Sequence, residues 1–463
     1  MGFMCVHLRS SASLCLLLLT ACTVGPSYHR PDVETPAAYK EISGDWVVAQ
    51  PKDDIPRGKW WQVFEDPVMG ELMGEVSVSN QTLKAAEARY SQARAAVGGA
   101  RAALFPTLGV SGDASRARRA GGNTASAYSV GLDASWEPDL WGRVRRQVEA
   151  SSATAQASAA DVESARLSLQ AELATNYIQL RVTDAQAQLL ESSLKAFQTS
   201  LDIANNRYRA GVAAKADVVQ AEAQLKSIQA QVLDLRATRA QLEHAIAVLV
   251  GKPPASFDLQ ERTAELDLKL PNVPPGVPST LLERRPDVAA AERRMAAANA
   301  NIGVAEAAYF PSLSLTASAG FAGAALGSLI SAPNRVWSLG LGVADTILDF
   351  GARSARVEEA RASYDESVAN YRGTVLDAFR DVENALSNVH YLQQEMVVQQ
   401  EAVALARQSV QIARNQYKAG TLAFLNVVQL QATQLAEERT YVNLVGRRAA
   451  ASVALVLALG GSW

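Results

Sequence analysis

Apolar residues recur along the chain in two rhythms, and each rhythm occurs twice. Ala187, Leu190, Leu194, Phe197, Leu201, Ala204 and Tyr208 step by alternate threes and fours, the 3.5-residue period of a supercoiled helical seam. Val218, Ala221, Leu225, Ile228, Val232 and Leu235 step the same way on the segment that follows. The first set lies in Arg143 to Ala210, 68 residues with neither glycine nor proline, which predicts a helix roughly 100 Å long. Gly211 ends it, where glycine takes the left-handed conformation that closes helices, and Val212 to Val250 leads away. The same helical hairpin returns in Ala352 to Ala419, interrupted by Gly373, and Thr421 to Leu459, interrupted by Gly446. Tyr417-Lys418-Ala419-Gly420 lies 209 residues after Tyr208-Arg209-Ala210-Gly211, so the chain is an internal duplication.

The second rhythm has period two. Leu108, Val110, Gly112 and Ala114 alternate with Gly109, Ser111 and Asp113, and Tyr128, Val130, Leu132, Ala134 and Trp136 alternate with Ser129, Gly131, Asp133 and Ser135. Each run predicts a strand of about ten residues with one apolar and one polar face. The later pair has Leu313, Leu315, Ala317, Ala319 and Phe321, then Trp337, Leu339, Leu341 and Val343. A helix from Val68 to about Leu104 precedes the first pair, and one from Pro286 precedes the second. Phe105-Pro106 recurs 205 residues later as Phe310-Pro311, whereas the long helices recur after 209, so four extra residues fall in or beside the second hairpin loop. Such strands fit a transmembrane barrel or a soluble hairpin packed on the helices. Four strands cannot close a membrane barrel, so a barrel requires several chains.

Composition adds a class and a compartment. Balanced charge, 44 basic against 47 acidic residues, gives no electrostatic ground for binding nucleic acid, and charges spread along the helices read as solvated faces. At the amino terminus Arg9 precedes the apolar run Leu14 to Leu19, too short to span a bilayer, and Leu19-Thr20-Ala21-Cys22 resembles the lipobox of bacterial lipoproteins. Cys22 is then the lipidated first residue of the mature chain, and Thr23 after it resembles the pattern sent to the outer membrane. With Cys5 and Cys15 removed, no disulfide remains possible. The expected organisation is a signal peptide at 1–21, a proline-rich surface segment at 22–67 anchored by Trp60, Trp61 and Phe64, a first repeat at 68–250, a linker at 251–280 and a second repeat at 281–463.

No catalytic constellation emerges. His7, His29, His244 and His390 are scattered and lack metal-ligand spacing, and the glycine pairs follow no phosphate-binding pattern. The expectation is a protein that is not an enzyme, with no metal and no cofactor beyond a covalent lipid on Cys22.

Assembled in order, the chain resembles the outer membrane efflux protein family, the TolC-like outer membrane factors, and their lipoprotein (NodT-type) branch. Cys22-Thr23-Val24-Gly25-Pro26, Trp60-Trp61, Trp136-Glu137-Pro138-Asp139-Leu140-Trp141-Gly142-Arg143, Arg284-Arg285-Pro286-Asp287, Phe310-Pro311-Ser312-Leu313 and the terminal Leu459-Gly460-Gly461-Ser462-Trp463 carry the resemblance. It implies a mainly α fold with a transmembrane β-barrel: a homotrimer whose four strands per chain make a 12-stranded barrel, continued by a long α-helical barrel of coiled-coil hairpins. It implies a passive duct for small molecules that spans the outer membrane and extends into the periplasm, with outer membrane lipid, a periplasmic adaptor and an inner membrane transporter as partners. The matching adaptor-binding tips are Arg207, Tyr208, Ala210 and Gly211, and Tyr417, Ala419 and Gly420. In relatives the segment after the second tip often carries aspartates that narrow the pore; here Leu422, Asn426 and Gln429 stand across it. Rival readings are a duct for protein secretion and a lipid-tethered periplasmic coiled-coil scaffold.

Overall fold

A computed structural model describes residues 23–32, 35–36, 39–40, 59–118, 120–262 and 284–461. The signal segment 1–21, Cys22, most of the proline-rich segment, the linker beyond residue 262 and the terminal Ser462-Trp463 lie outside the described residues.

The duplication is visible element by element. The first copy contains α1 (Pro67–Ser79), α2 (Gln81–Ala102), β1 (Thr107–Arg118), β2 (Thr124–Trp136), α3 (Arg143–Arg209) and α4 (Lys215–Leu249). The second contains α5 (Pro286–Ala307), β3 (Ser312–Gly323), β4 (Arg335–Ala344), α6 (Ala352–Lys418) and α7 (Phe424–Ala458). Helices α3 and α6 are each 67 residues, and α4 and α7 each 35. Strand β3 runs 205 residues after β1 at both ends, while α6 starts 209 after α3, which places the four extra residues at the β3–β4 turn.

One expected helix is two. The helical pattern from Val68 to Leu104 breaks at Asn80, whose backbone is extended. The buried Asn80 amide donates to the Leu249 carbonyl at 2.8 Å, and its side-chain oxygen accepts from the Leu83 N–H at 3.0 Å. Its side chain therefore caps α2 and satisfies the end of α4, a role asparagine fills better at a helix start than inside one.

The chain forms two compact units. One takes in residues 23–32 with Ala88–Ala160 and Ala290–Gly373. It holds all four strands in a single antiparallel sheet ordered β1-β2-β3-β4. The motif ahead of α3 works as its start: the Asp139 carboxylate accepts from the Val144 and Arg145 N–H groups at 3.0 and 2.9 Å, and Asp349 repeats the cap with Arg353 N–H at 3.1 Å. Trp141 stacks on Phe310 at 4.9 Å and donates to the Pro311 carbonyl at 2.7 Å, which ties the two Phe-Pro-bearing copies together. Gly142, at φ +83°, is required twice over, because a Cβ there would also press on Thr23. The described residues after Cys22 are held by buried Arg146, which donates to the Val24 and Gly25 carbonyls at 3.1 and 3.0 Å.

The other unit contains Glu34–Glu87, Asp161–Ala289 and Thr374–Trp463, where described. The two seams meet as expected: Leu190, Phe197, Ala204, Ala221, Leu225, Ile228, Val232 and Leu235 form one buried cluster, joined by Phe424, Val428 and Leu435 of α7. Tyr208 departs from the seam and is exposed, because the chain turns before α4 can reach across from it. Trp60 and Phe64 are buried and Trp61 half-buried in a short 3-10 helix, with the Trp60 indole donating to Gln170. Some helical charges are not solvated. Asp184 is buried between Arg181 and Arg239, with N···O distances of 3.0 and 2.8 Å, and these arginines also donate to the Gln260 and Leu259 carbonyls, fastening residues 259–262 to the hairpin. In the Arg284-Arg285-Pro286-Asp287 motif, Arg285 pairs with Asp287 and Asp381 and donates to the Ala458 carbonyl at the end of α7.

Candidate functional site

Two features stand out: a sheet face that one chain leaves uncovered, and the two hairpin tips.

Sequence alternation assigns each strand an apolar side, but only the register shows whether the four sides coincide. They do. Leu108 pairs with Ala134, Ala134 with Ala317 and Ala317 with Leu339, and the next row is Val110, Leu132, Ala319 and Trp337. The alternate rows, such as Gly109, Asp133, Ser318 and Ser338, form a face of small and polar residues. Val110 and Trp337 are each 80% exposed, and Leu339, Leu341 and Val343 are little less so. A contiguous apolar face of this kind marks a membrane or assembly surface rather than a solvated one. Strands β1 and β4 each have one neighbour, so the sheet has two open edges.

At the tips the two copies use the same chemistry. In the first, Val212 N–H donates to the Arg207 carbonyl at 3.0 Å and Gly211 N–H to the Tyr208 carbonyl at 2.9 Å, with Gly211 at φ +74°. In the second, Thr421 donates to Gln416 at 3.0 Å and Gly420 to Tyr417 at 3.1 Å, with Gly420 at φ +76°. These paired bonds satisfy the last helical carbonyls and need a left-handed residue, which is why both sites are glycine. Tyr208, Ala210, Gly211, Ala419 and Gly420 are exposed. Arg207 and Tyr417 are instead brought together: the guanidinium lies 4.5 Å from the tyrosine ring centroid and donates to the Tyr417 carbonyl at 3.4 Å. Phe424, which sequence reasoning did not single out, is buried and packs on Tyr417 at 5.3 Å. Its signal was its place at the mouth of α7, four residues after the glycine. Asn426 and Gln429 are exposed on the first turns of α7, which carries no carboxylate before Glu437.

Comparison with known proteins gives the chain a family. The family model described as "Outer membrane efflux protein" matches residues 72–252 and 277–461, one segment for each copy of the duplication. The cation efflux system protein CusC of Escherichia coli K12 is 30% identical over 451 residues, covering 96% of this chain and 97% of CusC. The pyoverdine export outer membrane protein OpmQ of Pseudomonas aeruginosa PAO1 is 30% identical over 466 residues, covering 98% and 96%. Among solved structures, the outer-membrane channel OprN superposes with a TM-score of 0.87 at 32% identity, covering 96% of this chain and all of OprN. The chain belongs to the outer membrane efflux protein family and is the outer membrane channel component of an efflux system, spanning the outer membrane and extending into the periplasm.

Proposed function

We propose that three copies of the chain form one passive duct, fed by an inner membrane transporter through a periplasmic adaptor that docks on the two hairpin tips. The observation that carries this is the sheet: its apolar face is aligned across all four strands, yet both edges are open. Open edges in lipid leave backbone groups unpaired, so the sheet needs other copies, and three times four strands gives an even-numbered barrel of ordinary size. The long helices also carry apolar positions that none of the described residues covers. Tyr391, Val398, Leu405 and Ile412 are exposed on α6 at intervals of seven, and Val219 and Leu233 are exposed on α4 at an interval of fourteen. Heptad-spaced stripes of this sort suit helices of a neighbouring copy.

Cys22 is the proposed lipid attachment. Its chain neighbour Thr23 packs at Gly142, between the end of β2 and the start of α3. The chain supplies a path and no turnover, with energy from the transporter. CusC carries a name for cations and OpmQ for pyoverdine at the same identity to this chain, which supports a duct whose cargo is set by its partners.

Detergent-extracted protein should migrate as a heat-modifiable trimer and conduct ions in planar bilayers. Absence of both conductance and a β-sheet signal in circular dichroism would favour the tethered scaffold and sink the duct. Cysteines at Ala210 and Ala419 should cross-link to the adaptor, and failure from both positions would remove the tips from the docking surface. Cys22→Ser should abolish acylation.

A further inference from the structure

The turn end of the sheet differs in charge from the helix end. Arg116 and Arg118 on β1 fall on the same side as Leu108 and Val110, beyond Ala114, and pair across to Ser126 and Thr124. Arg335, the first residue of β4, lies on the same side as Trp337 and Leu339 and pairs with Phe321. All three are exposed. No aspartate or glutamate occurs from Ala114 to Leu132 or from Ser312 to Ala344. Arg118 donates to the Gly122 carbonyl at 3.2 Å, while Arg116 and Arg335 have no ion-pair partner among the described residues. At the helix end, by contrast, charges of both signs neutralise one another: Arg143 with Glu137 at 3.0 Å, Arg145 with Asp139 at 3.2 Å, and Arg353 with Asp349 at 2.6 Å.

From the turn inward, the apolar side of β4 therefore runs Arg335, Trp337, Leu339 and Leu341, and that of β1 runs Arg118 and Arg116, then Val110 and Leu108, with Arg335 in the row of Phe321 and Val130. A spanning sheet meets phosphate headgroups, interface and hydrocarbon in that order. We propose that Arg116, Arg118 and Arg335 form a belt that binds the phosphate groups of outer-leaflet lipid. The inference rests on the membrane-spanning, multi-copy reading of the sheet. In that assembly β4 of one copy lies beside β1 of the next, so the two arginine-bearing turn ends meet at each seam. Like charges beside one another across strands destabilise the pairing unless an anion intervenes, and guanidinium groups bind phosphate through paired N–H donors. Phosphorylated lipid thus acts as a component of the subunit seam.

The test uses the full chain as a purified trimer in neutral detergent, titrated with bisphosphorylated lipid A, with the same lipid stripped of phosphate, and with inorganic phosphate. Bound lipid per trimer and the temperature of trimer dissociation are read together. The phosphorylated lipid should bind at least about tenfold more tightly than the stripped one and raise the dissociation temperature. The triple variant Arg116→Gln, Arg118→Gln, Arg335→Gln should lose that discrimination. Equal binding of both lipids to the wild-type trimer would overturn the proposal, a comparison that stands even where the variant fails to assemble. Retained discrimination in an assembled variant would also overturn it, as would equal protection by inorganic phosphate. Conductance of the same sample separates the two readings: a conducting trimer blind to lipid phosphate removes only the belt, whereas no trimer removes the duct and the belt with it.

Discussion

Asp184 accepts from Arg181 and Arg239 in a site where its own side chain is 4% exposed. Removing one member of such a buried set leaves uncompensated charge, which costs more than the pair itself contributes. Asp184→Ala should therefore destabilise the chain by about 3–5 kcal/mol, read from guanidinium unfolding in detergent by far-ultraviolet circular dichroism. Breaking a surface pair such as Arg380 with Asp377, both 61% exposed, should leave the midpoint in the same assay unchanged. Tyr177, close by on α3, donates to Asp66 at 2.8 Å. Burial pushes its phenol up from 10.0 to about 12, with nearby Arg181 opposing and Asp66 adding to the rise. The folded state therefore holds the proton more tightly than the unfolded chain. Its contribution is whole below pH 10 and is lost as pH rises through 12. Tyr177→Phe should cost about 1 kcal/mol near neutrality for the lost hydrogen bond, and the gap in thermal midpoint between variant and wild type should close above pH 10.

At the scale of elements, two helix-interior glycines look alike in sequence and differ in structure. A Cβ on Gly446 of α7 would strike the Val182 side chain of α3, whereas Gly373 of α6 has nothing within 4 Å. Gly446→Ala should destabilise by about 1–3 kcal/mol through forced displacement of α7 from α3. Gly373→Ala should stabilise by up to about 1 kcal/mol through helix propensity, and a loss in its place would put a neighbouring copy against that position. The helix lengths, both tip glycines and the two faces of every strand were legible in the sequence, because each follows from local rules of periodicity and backbone sterics. Strand register was not legible, since a period of two names the face but not the neighbour. The break at Asn80 was hidden because its cause is the distant Leu249 carbonyl, and the burial of Asp184 was hidden because Arg239, which closes its site beside neighbouring Arg181, lies on another helix. Tyr208 continued the heptad count past the point where the facing helix ends.

For the whole molecule, the open edges of β1 and β4 decide the assembly. Within one chain these strands are separated by two others, about 14 Å at ordinary strand spacing, far beyond the reach of a disulfide. Between chains they become neighbours, and because β1 and β4 run in opposite directions the joint is antiparallel like every other in the sheet. Cysteine in place of Val110 on β1, combined in turn with cysteine at Leu339, Leu341 or Val343 on β4, samples successive positions along that joint. Oxidation of the pair in register should give dimers and then a closed trimer on denaturing gels, while each single substitution gives no such ladder. A series that continues past three would mean an open array and not a barrel. Monomer throughout would leave the edges unpaired, a state a spanning sheet cannot sustain when each unsatisfied backbone group costs several kcal/mol in lipid. Closure at three is thus the outcome that reconciles an aligned apolar face with two unfinished edges.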